Sequence, residues 1–280
     1  MPRLRADRWM PREFLSPAVR HIAAQRGLDL AALASRTGSG LNGRLTVADL
    51  DREPPPTATS ERITLGRLRA RAARNLVQAK ATAAHAWVAL PADYTRIDQA
   101  RRDTGLTALP FVARAVVDAL AANPLCNATV RDGIATSSAS VHLGIAVDLD
   151  HQGLIVPVVH DAQDLRLRAL GRTIRELAAK ARSSSLTPGD VTGATFTITN
   201  PGARGTYLSV PVIPAPQVAI LSTDGIAKRV VVSERGDVGV RWIGMLGLSF
   251  DHRVLSAHVA AAFLASVAHT IGTRDWRTEL

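Results

Sequence analysis

Gly247-Leu-Ser-Phe-Asp-His-Arg-Val-Leu-Ser256 is the stretch on which the reading of this 280-residue chain turns. From Ile243 to Phe250 the residues are apolar or small without interruption, the pattern of a strand buried on both faces. The run stops at Asp251-His252-Arg253. A short turn follows, then an alanine-rich apolar stretch, Ala257 to Ala268, that reads as a helix. A histidine at the end of a buried strand is held on rigid backbone. Its ordinary pKa lies near neutrality, so it can take and return a proton at working pH. A lone histidine beside an aspartate is also a common packed core pair, and the segments upstream decide between the two readings.

Those segments mix strands and helices without strict alternation. Leu68 to Ala81 reads as a basic amphipathic helix and Ala83 to Leu90 as a strand. Thr107 to Asn123 is a long apolar helix broken by Pro124. Val141 to Val147 and Leu154 to Val159 are β-rich and flank a turn at Asp150-His-Gln-Gly153. Leu167 to Ala181 is an amphipathic helix. Thr195-Phe-Thr-Ile-Thr-Asn200 alternates like a strand, and Val210 to Leu221 leads into another. This order predicts an α/β (α+β) two-layer sandwich with a mixed or mostly antiparallel sheet.

Taken together, Ile63 to Leu280 resembles the catalytic domain of the dihydrolipoamide acyltransferases, the acyltransferase subunits of 2-oxo acid dehydrogenase complexes. Chloramphenicol acetyltransferase has the same catalytic architecture. The family signature is Asp-His-Arg-x-x-Asp-Gly. Asp251, His252 and Arg253 match it, whereas Ser256 and Ala257 stand where Asp and Gly are expected. The Val141–Val159 hairpin and Arg69 also fall on family positions.

Residues 14–50 form a second unit, ahead of a catalytic domain that starts at residue 62. Ser16 is a good N-cap, Pro17 suits the first helical position, and Gly27 closes the helix. Thr46 caps a second short helix, Leu45 to Leu50. The loop between them holds Gly38-Ser-Gly-Leu-Asn-Gly43, a literal G-x-G-x-x-G. A dinucleotide site needs a strand before that motif, and helices flank it here, so the dinucleotide reading fails. Ser-Pro-Ala-Val-Arg20 and Asn-Gly-Arg44-Leu instead resemble the small all-α peripheral subunit-binding domain of the same family. The resemblance implies docking of a decarboxylase or flavoprotein through Arg20 and Arg44. Residues 1–13 read as a basic tail, and residues 51–61, with three consecutive prolines, as a stiff linker.

Composition narrows the function classes. Net charge is +10, with Arg far outnumbering Lys. The basic residues are scattered without aromatic interleaving or a nucleic-acid-binding signature, so no nucleic acid is expected; coenzyme A is an adequate anionic partner. Cys126 is the only cysteine, which excludes an internal disulfide or a cysteine-rich metal site, and it reads as a packed thiol. His142, His151 and His160 lack ligand spacing, and no metal is expected. With no signal peptide and no long uncharged apolar run, the chain is expected to be cytoplasmic and free of the membrane. A serine-hydrolase triad is disfavoured because no G-x-S-x-G elbow precedes the histidine.

The resemblance also implies roles. His252 would be the general base and Thr199 the donor to the oxyanion of a tetrahedral intermediate. Asp251, Arg253, Ser256 and Asn200 would support them. The site would lie between subunits of a homotrimer, where His252 of one chain meets Thr199 of its neighbour. No lipoyl domain or lipoyl-lysine is recognised in the chain. That feature, together with Ser256 and Ala257, leads to the expectation of a stand-alone enzyme of small-molecule biosynthesis. Such an enzyme would move an acyl group, expected to be acetyl, from acyl-CoA to a hydroxyl or thiol of a small or carrier-bound acceptor. The alternatives are a core subunit of a 2-oxo acid dehydrogenase complex that uses a lipoyl domain in trans, and an inactive trimeric scaffold.

Overall fold

The computed structural model describes residues 15–51, 66–149, 153–233 and 235–279. The basic tail, most of the proline linker and the turn at 150–152 lie outside these residues. Backbone contacts divide the chain into two compact units, residues 1–63 and 64–280.

In the small unit, α1 (Pro17–Gln25) starts where Ser16 Oγ accepts from Val19 N at 3.3 Å, and it ends before Gly27 at φ +66°. A five-residue helix, α2 (Leu30–Ala34), follows, capped by Asp29. It is too short to show a helical period in sequence. The helix expected at Leu45 to Leu50 is instead a single 3₁₀ turn, Val47–Leu50. Thr46 and Asp49 close a reciprocal capping box there, and the Asp49 carboxylate also accepts from Ser39 N at 2.9 Å. These backbone hydrogen bonds hold the Asp49 carboxyl well below the usual carboxylate range. Leu15, Val19, Ala23, Leu33 and Leu45 form this unit's own apolar cluster.

The large unit opens with α3 (Arg67–Thr82) and then builds one seven-stranded sheet. Its strands are β1 (His85–Asp93), β4 (Leu143–Ile145), β7 (Val158–Val159), β8 (Phe196–Thr199), β9 (Ala219–Thr223), β10 (Ala227–Val232) and β11 (Val238–Asp251). They run in the order β1-β11-β9-β8-β4-β7, with β10 on the first half of β11. β8 is parallel to both neighbours and the other pairs are antiparallel, so the sheet is mixed, as expected. Two ribbons stand apart: β2 (Ala128–Arg131) with β3 (Ile134–Ser137), and β5 (Val147–Asp148) with β6 (Leu154–Ile155). The single strand read from Val141 to Val147 is thus divided between the sheet and a ribbon.

One face of the sheet is covered by α4 (Thr95–Thr104), α5 (Ala108–Ala122), α6 (Leu167–Arg182) and α7 (Ala257–Thr273). Alternate strand residues point into this layer: Leu246, Leu248 and Phe250 from β11, Phe196 and Ile198 from β8, and Leu221 from β9. The partners from α7 are Phe263, Leu264 and Val267. The opposite face carries small and polar residues and is crossed by the segment before β9. There Thr197 Oγ1 donates to Gln217 Oε1 (2.8 Å) and Ser222 Oγ to Ser209 O (3.1 Å). Among the described residues no single helix is long and apolar enough to cross a membrane.

Candidate active site

β11 ends at Asp251, whose side chain organises the turn into α7. That side chain is 2% exposed. The carboxylate accepts from Arg253 Nε (3.0 and 3.1 Å to its two oxygens), Arg253 Nη2 (2.6 Å) and Arg253 N (3.1 Å). It also accepts from Ala84 N at 3.3 Å, just before β1. Burial works against its charge, but the side-chain and backbone N–H groups of Arg253 outweigh it and hold the carboxyl below its ordinary range. The Asp251 carbonyl closes the turn by accepting from Val254 N and Leu255 N, both at 3.0 Å. Ser256 then caps α7, its Oγ accepting from Val259 N at 3.3 Å. A serine in place of the signature carboxylate is therefore used to start the helix.

His252 is pinned by its backbone, with N donating to Ala84 O at 2.8 Å. Its ring lies 5.6 Å, centroid to centroid, from Phe250. The side chain is exposed and makes no hydrogen bond among the described residues. The packed Asp–His pair considered from sequence is thus not formed: Asp251 takes Arg253, and His252 stands one residue beyond the strand, facing outward.

Thr199 is the last residue of β8 and is half-buried. Its hydroxyl also has no hydrogen-bond partner among the described residues. Asn200 begins the next turn, with Oδ1 accepting from Gly202 N at 3.2 Å. Thr199 lies opposite Ser222 on β9, whereas Asp251 N bonds Val218 O just before that strand. Four residues of β9 correspond to about 13 Å along the strand, and two strand spacings add roughly 10 Å across it. One chain therefore keeps His252 and Thr199 at opposite ends of the sheet and does not bring them together.

At the turn that follows β8 opens a cavity of about 280 Å³, lined by Gly202, Gly205, Thr206, Tyr207, Gly225 and Arg229 among others. The Arg229 guanidinium lies 4.8 Å from the Tyr207 ring centroid. A cation and an aromatic face at a cleft suit a ligand with phosphates and a planar base. Sequence reading missed this cleft, although the glycines at 202, 205 and 225 were a usable signal. A Cβ on Gly202 would stand 2.4 Å from the Asp224 carbonyl carbon.

The remaining candidates fall elsewhere. Arg20 is exposed on α1, its Nε donating to Leu15 O at 3.2 Å, and Arg44 is exposed in the loop of the same unit. His142 and His160 face each other with ring centroids 5.1 Å apart, and His142 Nδ1 accepts from Asp161 N at 3.1 Å. Cys126 is fully buried, and burial pushes its thiol up to about 12, which suits a packing role.

The pattern of the family "2-oxoacid dehydrogenases acyltransferase (catalytic domain)" matches residues 57–275, and that of the e3 binding domain matches residues 13–51. The dihydrolipoyllysine-residue acetyltransferase component of the pyruvate dehydrogenase complex of Mycobacterium bovis is 42% identical over 186 residues. The match covers 64% of this chain and 34% of that protein. A lipoamide acyltransferase component of the branched-chain alpha-keto acid dehydrogenase complex of Bacillus subtilis is 30% identical over 310 residues, covering 95% of this chain and 72% of that protein. Among solved structures, the dihydrolipoamide acetyltransferase of Azotobacter vinelandii, studied for a serine, a histidine and an asparagine in its catalytic mechanism, is 29% identical with a TM-score of 0.72. It covers 79% of this chain and 96% of that one.

These findings correct one expectation. The relatives are components of 2-oxo acid dehydrogenase complexes, and the small unit matches a domain named for binding a complex subunit. The stand-alone enzyme of small-molecule biosynthesis is therefore set aside. That reading leaned on a lipoyl domain not being recognised in the sequence and on Ser256 and Ala257 in the signature. The chain spans about a third of the length of the Mycobacterium bovis relative, so a feature of the unmatched remainder says nothing about the part in common.

Proposed function

This chain belongs to the family of 2-oxoacid dehydrogenase acyltransferases, and on that premise we propose that it exchanges an acyl group between coenzyme A and a dihydrolipoyl thiol as the core acyltransferase subunit of a 2-oxo acid dehydrogenase complex. The observation that carries this reading is the pair of unsatisfied side chains at opposite ends of one sheet. His252 and Thr199 each stand at a strand end without a partner among the described residues, so a neighbouring copy can supply what each lacks.

In the proposed homotrimer His252 of one chain faces Thr199 of the next. His252 takes the proton from the attacking thiol, and the thiolate sulfur bonds to the thioester carbonyl carbon. The resulting oxyanion accepts a hydrogen bond from the Thr199 hydroxyl. The intermediate collapses, the other sulfur leaves, and His252 returns the proton to it. The exchange needs no metal ion and no covalent enzyme intermediate. Asp251, Arg253 and Ala84 fix the backbone on which His252 stands; Ser256 fixes the start of α7, and Asn200 shapes the turn after Thr199. The cleft at Tyr207 and Arg229 receives coenzyme A. Relatives are named as acetyltransferase and succinyltransferase components, so acetyl is one member of the class considered.

Residues 14–50 hold the complex together by docking a decarboxylase or flavoprotein through Arg20 and Arg44. Arginine forks form charge-assisted pairs that alanine cannot replace. Deleting residues 1–61 is expected to leave transfer between acetyl-CoA and dihydrolipoamide intact, because the small unit has its own core and holds none of the catalytic candidates. The same deletion abolishes binding of the dehydrogenase-complex subunit in sedimentation velocity, and Arg20→Ala with Arg44→Ala weakens it. Full-length protein that transfers no acyl group to dihydrolipoamide would refute the proposal.

A further inference from the structure

Asp224 is a buried carboxylate for which the reaction above has no use. It directly follows β9 and is 2% exposed. Among the described residues its oxygens meet no basic side chain. They accept from Thr206 Oγ1 (2.7 Å), Ser209 N (3.2 Å) and Ser209 Oγ (3.1 Å), all on one loop. A buried polar side chain that needs three hydrogen bonds to be satisfied is an expensive way to fill space that an apolar side chain would fill better for stability. Its use is to be sought in the geometry it imposes.

That geometry belongs to the cleft lined by Tyr207 and Arg229. The Thr206–Ser209 loop carries Tyr207, a residue 60% exposed, and forms one wall of the cleft. The other wall, Gly225 to Arg229, runs on directly from Asp224. Gly225 N donates to Thr206 O at 2.7 Å, and a Cβ on Gly225 would stand 2.9 Å from that same oxygen. The two walls therefore meet backbone to backbone at their base. Asp224 grips one wall through three hydrogen bonds and begins the other. The placement of the stacked Tyr207 and Arg229 side chains depends on it.

We propose that Asp224 is the positioning residue of the coenzyme A cleft, holding the stacked Tyr207–Arg229 pair in place on the cleft surface that meets the phosphate-bearing half of the ligand. The inference rests on coenzyme A as a substrate but not on the chemistry of transfer, so the two can fail separately. The test is calorimetric titration of coenzyme A into the intact oligomer of the full chain, together with KM for each substrate. Asp224→Ala leaves three donors without their acceptor and is expected to weaken coenzyme A binding about tenfold. Thr206→Val removes one bond of the three and is expected to weaken it roughly threefold. KM for dihydrolipoamide stays unchanged in both. A loosened fold raises both KM values together and would overturn the proposal, as would unchanged coenzyme A affinity in Asp224→Ala. If Asp224→Ala does not fold, Thr206→Val and Ser209→Ala decide the question by the same split. If the wild type transfers no acyl group yet its coenzyme A titration follows this pattern, the reaction is wrong and the role of Asp224 stands.

Discussion

His252→Ala is expected to lower turnover about 10²–10⁴-fold, the usual effect of removing a general base. The structure makes this substitution unusually clean. The ring is exposed, bonds no described residue and touches Phe250 only at a tilt, 5.6 Å between centroids, so its loss leaves neither a cavity nor an orphaned polar group. The anchoring bond runs from the backbone of His252 to Ala84 and survives in alanine. Asp251 keeps all its partners, since none of them is the His252 side chain. Stability, assembly and coenzyme A affinity should therefore be those of the wild type. Steady-state kinetics with sedimentation on the same sample checks this. Near-normal turnover in a correctly assembled variant would remove His252 from the mechanism.

Thr199→Val should cost on the order of 2.7–4 kcal/mol in transition-state stabilisation, which appears as kcat lowered about 10²–10³-fold. Valine keeps the β-branched shape that suits the end of β8 and removes only the hydroxyl. That hydroxyl bonds nothing among the described residues, so no native hydrogen bond is lost with it. The oxyanion exists only in the intermediate, and KM for both substrates should hardly move. Collapse of coenzyme A affinity with turnover at saturation preserved would make Thr199 a binding residue instead.

Much of this arrangement was legible before any coordinates. The end of β11 was marked by an uninterrupted apolar run that meets three charged or titratable residues, and the start of α7 by Ser256 ahead of alanines. α1 was marked by Ser16 and Pro17. Each is a local rule, satisfied within a few residues. The features that were missed depend on partners distant in sequence. β11 begins at Val238 rather than Ile243, because β10 pairs with its exposed first half, and alternating exposed valines there do not resemble a buried run. α4 and α2 were missed because one is mostly polar and the other has five residues. The Asp251–Arg253 pair prevailed over Asp251–His252 because a guanidinium two residues on reaches both carboxylate oxygens while the imidazole turns outward. The opposite-end placement of Thr199 and His252 is a matter of register across three strands, which no local pattern encodes. Asp224 was passed over because nothing in Ser222-Thr-Asp-Gly225 signals burial; its donors come from a loop fifteen to eighteen residues earlier.

The claim on which the account rests is that the site is shared between copies, and subunit complementation tests it most directly. His252→Ala and Thr199→Val chains, each nearly inactive alone, are dissociated, mixed and reassembled, with mixed oligomers verified by native mass spectrometry. A shared site predicts recovered transfer, because an interface that joins His252 of the Thr199→Val chain to Thr199 of the His252→Ala chain contains both groups intact. If verified mixed oligomers remain as inactive as either parent, His252 and Thr199 do not act together across an interface, and the account is wrong.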